Sequence, residues 1–189
     1  YTDMNQPLGN FAGLSCEIEE SISCLKGIGP DDLMSITFEL GSKLLLQAKI
    51  AENYSNAISI QNKIIKSGKA LKQFKNSIKS QGGTFEKFQF QNQAKYETFI
   101  HKKESGIITE MKTEDIGWAL VTLGCGITND NKILDNTAGI EFYKKLGFET
   151  NEDEPIFRIF CSNKNKLEKV ATMLSSTVVI GKHYEKKPL

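Results

Sequence analysis

Side chains able to do chemistry are few in this 189-residue chain, and they are scattered. Glu17, Glu19 and Glu20 are one close set of carboxylates. Paired carboxylates can share acid and base work, although the same spacing also describes a solvated acidic turn of helix. Cys16 and Cys125 are candidate nucleophiles, but neither has a histidine near it in sequence, and a buried structural thiol is the competing reading. Gly124-Cys125-Gly126 supplies a GxG without the third glycine or the preceding strand of a dinucleotide fingerprint, so a loop after a helix is the alternative. The opening turn coheres better. Pro7 fixes one backbone angle and Gly9 admits a positive one, so Gln6-Pro7-Leu8-Gly9 suits a tight turn. Gly13 then starts a helix carrying Glu17 and Glu20. A carboxylate one or two helical turns along can point back at carbonyl oxygens that no ladder uses. Oxygen-only ligation of that kind suits a hard cation, with a plain turn as the alternative.

The composition narrows the field. Lys and Arg number 24 against 23 Asp and Glu, a formal charge of +1, so no field of one sign draws in nucleic acid or an anionic membrane. Arg158 is the only arginine, whereas enzymes that clamp phosphate or carboxylate favour the guanidinium fork. Cys16, Cys24, Cys125 and Cys161 have no CxxC spacing, and only His101 and His183 could join them. Free thiols in a reducing compartment are therefore expected, not zinc. No apolar run approaches the roughly 20 residues that cross a bilayer, and no signal-peptide core is present. A cytoplasmic protein that touches neither membrane nor nucleic acid is the expectation.

The elements that must position these residues follow from periodicity. Leu14, Ile18, Ile22 and Leu25 form a helical stripe ended by Gly27. Gly29-Pro30-Asp31-Asp32 starts a second helix, continued by Leu33, Ile36, Leu40 and Leu44 to about residue 50. Ser55 is the expected cap of a third, with Ile58, Ile64 and Ile65 buried. A fourth runs through Leu71, Phe74 and Ile78 to Gln81-Gly82-Gly83, and the lysines at 63, 66, 69, 72, 75 and 79 read as its solvated face. From about residue 96 the texture turns to strands. Residues 96–102 and 106–112 read as a hairpin, Thr113 as an N-cap, and Ile116, Leu120 and Val121 as a helix ending at Gly124. Strands at 139–144, 156–161 and 177–180 bracket a helix through Leu167, Val170 and Leu174. The chain thus divides near residue 95, into a mainly helical first half and a strand-rich second half.

Thr2-Asp3-Met4-Asn5-Gln6-Pro7-Leu8-Gly9, the Gly13 to Glu20 helix start, Lys26-Gly27-Ile28-Gly29-Pro30-Asp31-Asp32-Leu33, and Ser67-Gly68-Lys69-Ala70-Leu71 with Phe74 and Gln81-Gly82-Gly83 recur in one order and spacing. Taken together, these stretches resemble thymidine phosphorylase and pyrimidine-nucleoside phosphorylase. In the second half, Ser105-Gly106, Leu123-Gly124-Cys125-Gly126, Asp135, Gly139-Ile140 and Lys145-Leu146-Gly147 are similar too. Leu14, Ile127 and Phe148 depart from the family pattern.

The resemblance implies an α+β chain: residues 1–95 as the helix-rich C-terminal part of the phosphorylase α/β domain, and 96–189 as a β-rich, barrel-sandwich-like C-terminal domain. It implies phosphorolysis of a pyrimidine nucleoside by inorganic phosphate in a homodimeric enzyme. The phosphate loop and base-binding residues of the family lie upstream of the opening motif, so catalytic residues are expected in a missing N-terminal half, and this chain alone is expected to be inactive. One family site falls within reach, a monovalent cation, usually potassium, which the resemblance assigns to the carbonyls of Leu8 and Phe11 and to Glu20. No organic cofactor is implied. Two alternatives remain: a non-catalytic binding or carrier module, since Glu110-Met111-Lys112 is similar to the carrier lysine of biotinyl domains, and a relative acting on nucleoside monophosphates.

Overall fold

The computed structural model describes residues 3–85, 93–127 and 133–185. Thr2, which opens the family motif, lies outside them. The chain divides into two compact units, one formed by Tyr1–Glu17 with Asn92–Leu189 and the other by Ile18–Gln91.

The helical unit holds most of α1 (Ser15–Leu25), then α2 (Asp31–Gln47), α3 (Tyr54–Lys66) and α4 (Lys69–Ser80). Gly27 at φ 84 stops α1 as its type predicts. Pro30 is the cap of α2 at φ −59, one residue outside the helix, with Asp31 and Asp32 in the first turn. Asn53, not Ser55, caps α3 by accepting the backbone N–H of Asn56 at 2.9 Å. Of the apolar stripe expected in α2, Leu33 and Ile36 are half-buried, but Leu40 is 52% and Leu44 65% exposed, while Ser42 is fully buried. Small residues explain this. Gly41 and Ser42 let α2 approach Ala57 and Gln61 of α3 closely, and the Gln61 amide donates to the Ser42 hydroxyl at 2.8 Å and the Phe38 carbonyl at 3.1 Å. Ile64 is likewise exposed, and Ala57 is the buried residue of α3.

The other unit is two sheets and two helices on one core. Strands β1 (Phe11–Gly13), β2 (Tyr96–His101), β3 (Gly106–Met111), β4 (Gly139–Phe142), β5 (Glu149–Thr150), β6 (Pro155–Cys161) and β7 (Val178–Gly181) form sheets in the orders β1-β4-β6-β2 and β5-β3-β7, antiparallel throughout. Residues 96–112 are therefore not a hairpin: β2 pairs with β6, and β3 enters the second sheet between β5 and β7. Period-two alternation locates a strand but names no partner. Helix α5 (Thr113–Leu120), extended by a π-type turn Val121–Cys125, and α6 (Lys164–Leu174) cover the sheets. Ile116, Ala119, Leu123, Leu167, Val170 and Leu174 interlock with Ile108, Ile140, Phe157 and Ile159 in that core.

The α+β architecture expected from the sequence is the one adopted, and among the described residues neither sheet closes into a barrel. Residues 11–13, which a division at residue 95 groups with the helices, form the edge strand of the C-terminal sheet. No helix among the described residues is long and apolar enough to cross a membrane.

Candidate functional site

The opening segment is pinned to the sheet-bearing unit along its length. Asp3 closes a turn by accepting the Asn5 backbone N–H at 3.1 Å and its side-chain amide at 2.7 Å. The Met4 carbonyl accepts the Thr113 hydroxyl at 2.8 Å, so Thr113 ties down the segment and does not cap α5. The Gln6 side-chain oxygen accepts the Leu146 backbone N–H at 3.2 Å. Gly9 adopts φ 75, the left-handed turn conformation its type permits.

Register then sets the direction of the carbonyls. Phe142 donates its backbone N–H to the Asn10 carbonyl at 2.8 Å, which makes residues 10 and 142 a hydrogen-bonded pair. Hydrogen-bonded and non-hydrogen-bonded pairs alternate along an antiparallel ladder. Phe11 and Gly13, opposite Glu141 and Gly139, therefore turn their N–H and C=O groups off the open edge of the sheet. Glu17 meets that edge: its Oε1 accepts the Gly13 N–H at 2.6 Å. Glu17 thus caps the start of α1 and binds a donor, where the sequence suggested it would face carbonyls.

Of the residues assigned to a cation, Leu8 lies in the turn, Phe11 directs its carbonyl off the edge of β1, and Glu20 is buried on α1. Leu8 and Phe11 belong to the sheet-bearing unit and Glu20 to the helical unit. An outward main-chain oxygen at Phe11 fits a hard-cation ligand. Among the described residues no three His, Cys, Asp or Glu side chains gather as a metal-ligand set.

The thiols of Cys125 and Cys161 are structural. The Cys125 Sγ donates to the Ala138 carbonyl at 3.4 Å. Burial, then the neighbouring Cys16, Asp135, Glu17 and Cys161, push its pKa up to about 12, which keeps it protonated and unreactive. Burial likewise raises Cys161, whose thiol donates to the Asn163 carbonyl at 3.1 Å. Gly124, at φ 128, follows a helix and closes the π-type turn, so the GxG is a loop device. Lys112 sits at the junction of β3 and α5, its backbone N–H donating to Thr177 at 2.8 Å. The lysines of α3 and α4 are all exposed.

Arg158 is committed within its sheet. Its Nε donates to Glu141 at 2.7 Å and its Nη1 to Glu97 at 3.0 Å, and the guanidinium lies 5.1 Å from the centre of the Phe160 ring. The Tyr143 hydroxyl adds a second donor to Glu141 at 3.0 Å.

The densest polar centre is Asp135, which the sequence marked only through the family resemblance. One oxygen accepts the Thr137 N–H at 3.0 Å and its hydroxyl at 2.7 Å; the other accepts the Ser162 N–H at 2.8 Å and its hydroxyl at 2.7 Å. Desolvation raises its pKa, but the four hydrogen bonds outweigh it and the net shift is downward. Asp-x-Thr is a local turn signal, whereas the Ser162 partner comes from the end of β6 and has no signature in sequence.

Residues 107–181 match the family described as pyrimidine nucleoside phosphorylase C-terminal domain. Over 185 residues the chain is 37% identical to the pyrimidine-nucleoside phosphorylases of Staphylococcus aureus strains USA300 and NCTC 8325 / PS 47, covering 96% of this chain and 42% of each relative. The same figures hold for the bovine strain RF122 / ET3-1. The chain therefore spans about two-fifths of the length of these relatives. Residues 107–181 thus match the C-terminal domain of pyrimidine nucleoside phosphorylases, and the similarity along 96% of the chain supports a C-terminal portion of that family.

Proposed function

We propose that the chain acts as the C-terminal part of a pyrimidine-nucleoside or thymidine phosphorylase, which transfers a pentosyl group from a pyrimidine base to inorganic phosphate. The observation that carries this reading is the 37% identity across 96% of the chain to enzymes named pyrimidine-nucleoside phosphorylases. In such a reaction phosphate attacks the anomeric carbon as the base departs, so catalysis rests on positioning two reactants and stabilising developing charge. The role proposed for this chain is scaffolding, with residues 1–95 completing an α/β domain and 96–189 forming the C-terminal domain of a cytoplasmic homodimer. Phosphate and base recognition is assigned to other residues of the enzyme, because the single guanidinium is already held by Glu97 and Glu141.

The chain's share of the chemistry is proposed to be a monovalent cation site for potassium, with the carbonyls of Leu8 and Phe11 and the carboxylate of Glu20 as ligands. Support comes from the donor chemistry and from the outward carbonyl of Phe11.

The experiment is a chimera in which this chain replaces the aligned part of the Staphylococcus aureus USA300 enzyme. The chimera should release base from uridine or thymidine with phosphate, and the 189-residue chain alone should not. Robust release by the chain alone, or a folded but inactive chimera, overturns the reading. Glu20→Gln in the chimera should raise the potassium concentration needed for half-activation, and an unchanged potassium profile removes the cation assignment.

A further inference from the structure

The segment 135–139 touches the β1–α1 junction from one side and is fixed from the other. Toward the junction, the Asn136 carbonyl accepts the Ser15 N–H at 3.4 Å, Gly139 pairs with Gly13, and the Ala138 carbonyl lies 2.6 Å from where a Gly13 Cβ would stand. Away from it, the Asp135 carboxylate joins this segment to Ser162 at the end of β6 and folds it tight through Thr137. The Asp135 N–H also donates to the Gly124 carbonyl at 3.0 Å, and a Cβ on Gly124 would come within 2.9 Å of the Asp135 Cβ. Thus β6, the π-type turn and the N-terminal segment meet around one carboxylate, all within the sheet-bearing unit.

We propose that Asp135 is a positioning residue that sets the placement of the Leu8–Ser15 segment by holding the 135–139 loop against it. Asp135 acts on that segment through its neighbours: the Asn136 carbonyl, the Ala138 carbonyl and the Gly13–Gly139 register. A carboxylate suits the task because it accepts four donors at once with two oxygens, whereas an asparagine offers only one accepting oxygen. The inference concerns the chain's own packing and stands whether or not the turn binds a cation.

The test is amide exchange by NMR on the 189-residue chain, comparing Asp135→Ala with Val170→Ala, a core variant in α6 that removes none of the donors to Asp135. Compared under conditions giving equal global stability, Asp135→Ala should speed exchange at Ser15 and Phe142 by about tenfold over Val170→Ala, the scale of a lost hydrogen bond to a charged group. Exchange at Ile159, in the core of β6, should match between the two. Asp135→Asn should restore part of the protection, because one acceptor survives. Should Asp135→Ala not fold, Ser162→Ala removes a single donor and should give a smaller rise at the same two amides. Equal exchange at Ser15 and Phe142 in matched variants overturns the proposal. In the chimera, a normal potassium profile for Asp135→Asn alongside faster exchange leaves Asp135 as a positioning residue and counts against the cation assignment instead.

Discussion

The side-chain amide of Gln61 lies over the backbone of Gly41, in the space a Cβ there would fill, and from that position it donates to both Phe38 and Ser42. The α2–α3 crossing therefore depends on a missing side chain. Gly41→Ala would gain up to about 1 kcal/mol of helix propensity but must displace Gln61 and its buried partners. We expect a net loss of about 1–3 kcal/mol, read as a lower urea midpoint followed by circular dichroism at 222 nm. An unchanged midpoint would show that Gln61 moves aside at no cost.

Two glycines of the other unit should respond oppositely to the same change. A Cβ at Gly13 would stand 2.6 Å from the Ala138 backbone carbonyl, which cannot rotate away, so Gly13→Ala should detach β1 and deprotect the Phe142 amide. Gly117, within α5, has nothing within 4 Å of its Cβ position. Gly117→Ala should raise stability by about 0.5–1 kcal/mol, measured in the same urea titration.

Asp135 gives the unit an acid limit. Its folded-state pKa lies below the ordinary aspartate value, so the stabilisation is present above that ordinary value, near pH 4. It is lost as pH falls through the depressed folded pKa. Asp135→Asn should lower stability at neutral pH and flatten the decline below about pH 4. Trp118, the chain's only tryptophan, is half-exposed on α5 and reports the transition by fluorescence. A variant with the same acid slope as the native chain would assign that slope to other carboxylates.

Arg158→Lys should cost about 1 kcal/mol or less, because the pair is partly exposed and screened. An ammonium cannot reproduce two divergent N–H bonds to Glu141 and Glu97. The difference between native and variant should shrink in 1 M NaCl. A difference that persists at high salt would point instead to lost packing on Phe160.

What the sequence revealed was local. Gly27 and the Gly29-Pro30-Asp31 start bound the first two helices, Leu167, Val170 and Leu174 identify α6 and its buried face, and Pro7 with Gly9 marks the opening turn. What it missed was partnership. Nothing in 96–112 says that the two strands part company into different sheets, and nothing near Phe11 says that Glu141 lies beside it. Even the caps followed distant needs: the Thr113 hydroxyl goes to Met4, across the fold. The candidate turn was thus readable from its residue types, while the direction of the Phe11 carbonyl required a ladder register that only tertiary pairing supplies.

The β1–β4 ladder joins Phe11 to Glu141, 130 positions along the chain (141 − 11), and the whole helical unit lies inside the loop it closes. Closing so long a loop carries a large entropic cost that local contacts do not offset. Strand β1 should therefore be the last piece of its sheet to arrive during folding, and β4 should wait with a bare edge until it does. Until then, any other extended segment can compete for the place, so the few residues of this N-terminal strand also shield the sheet from misassembly.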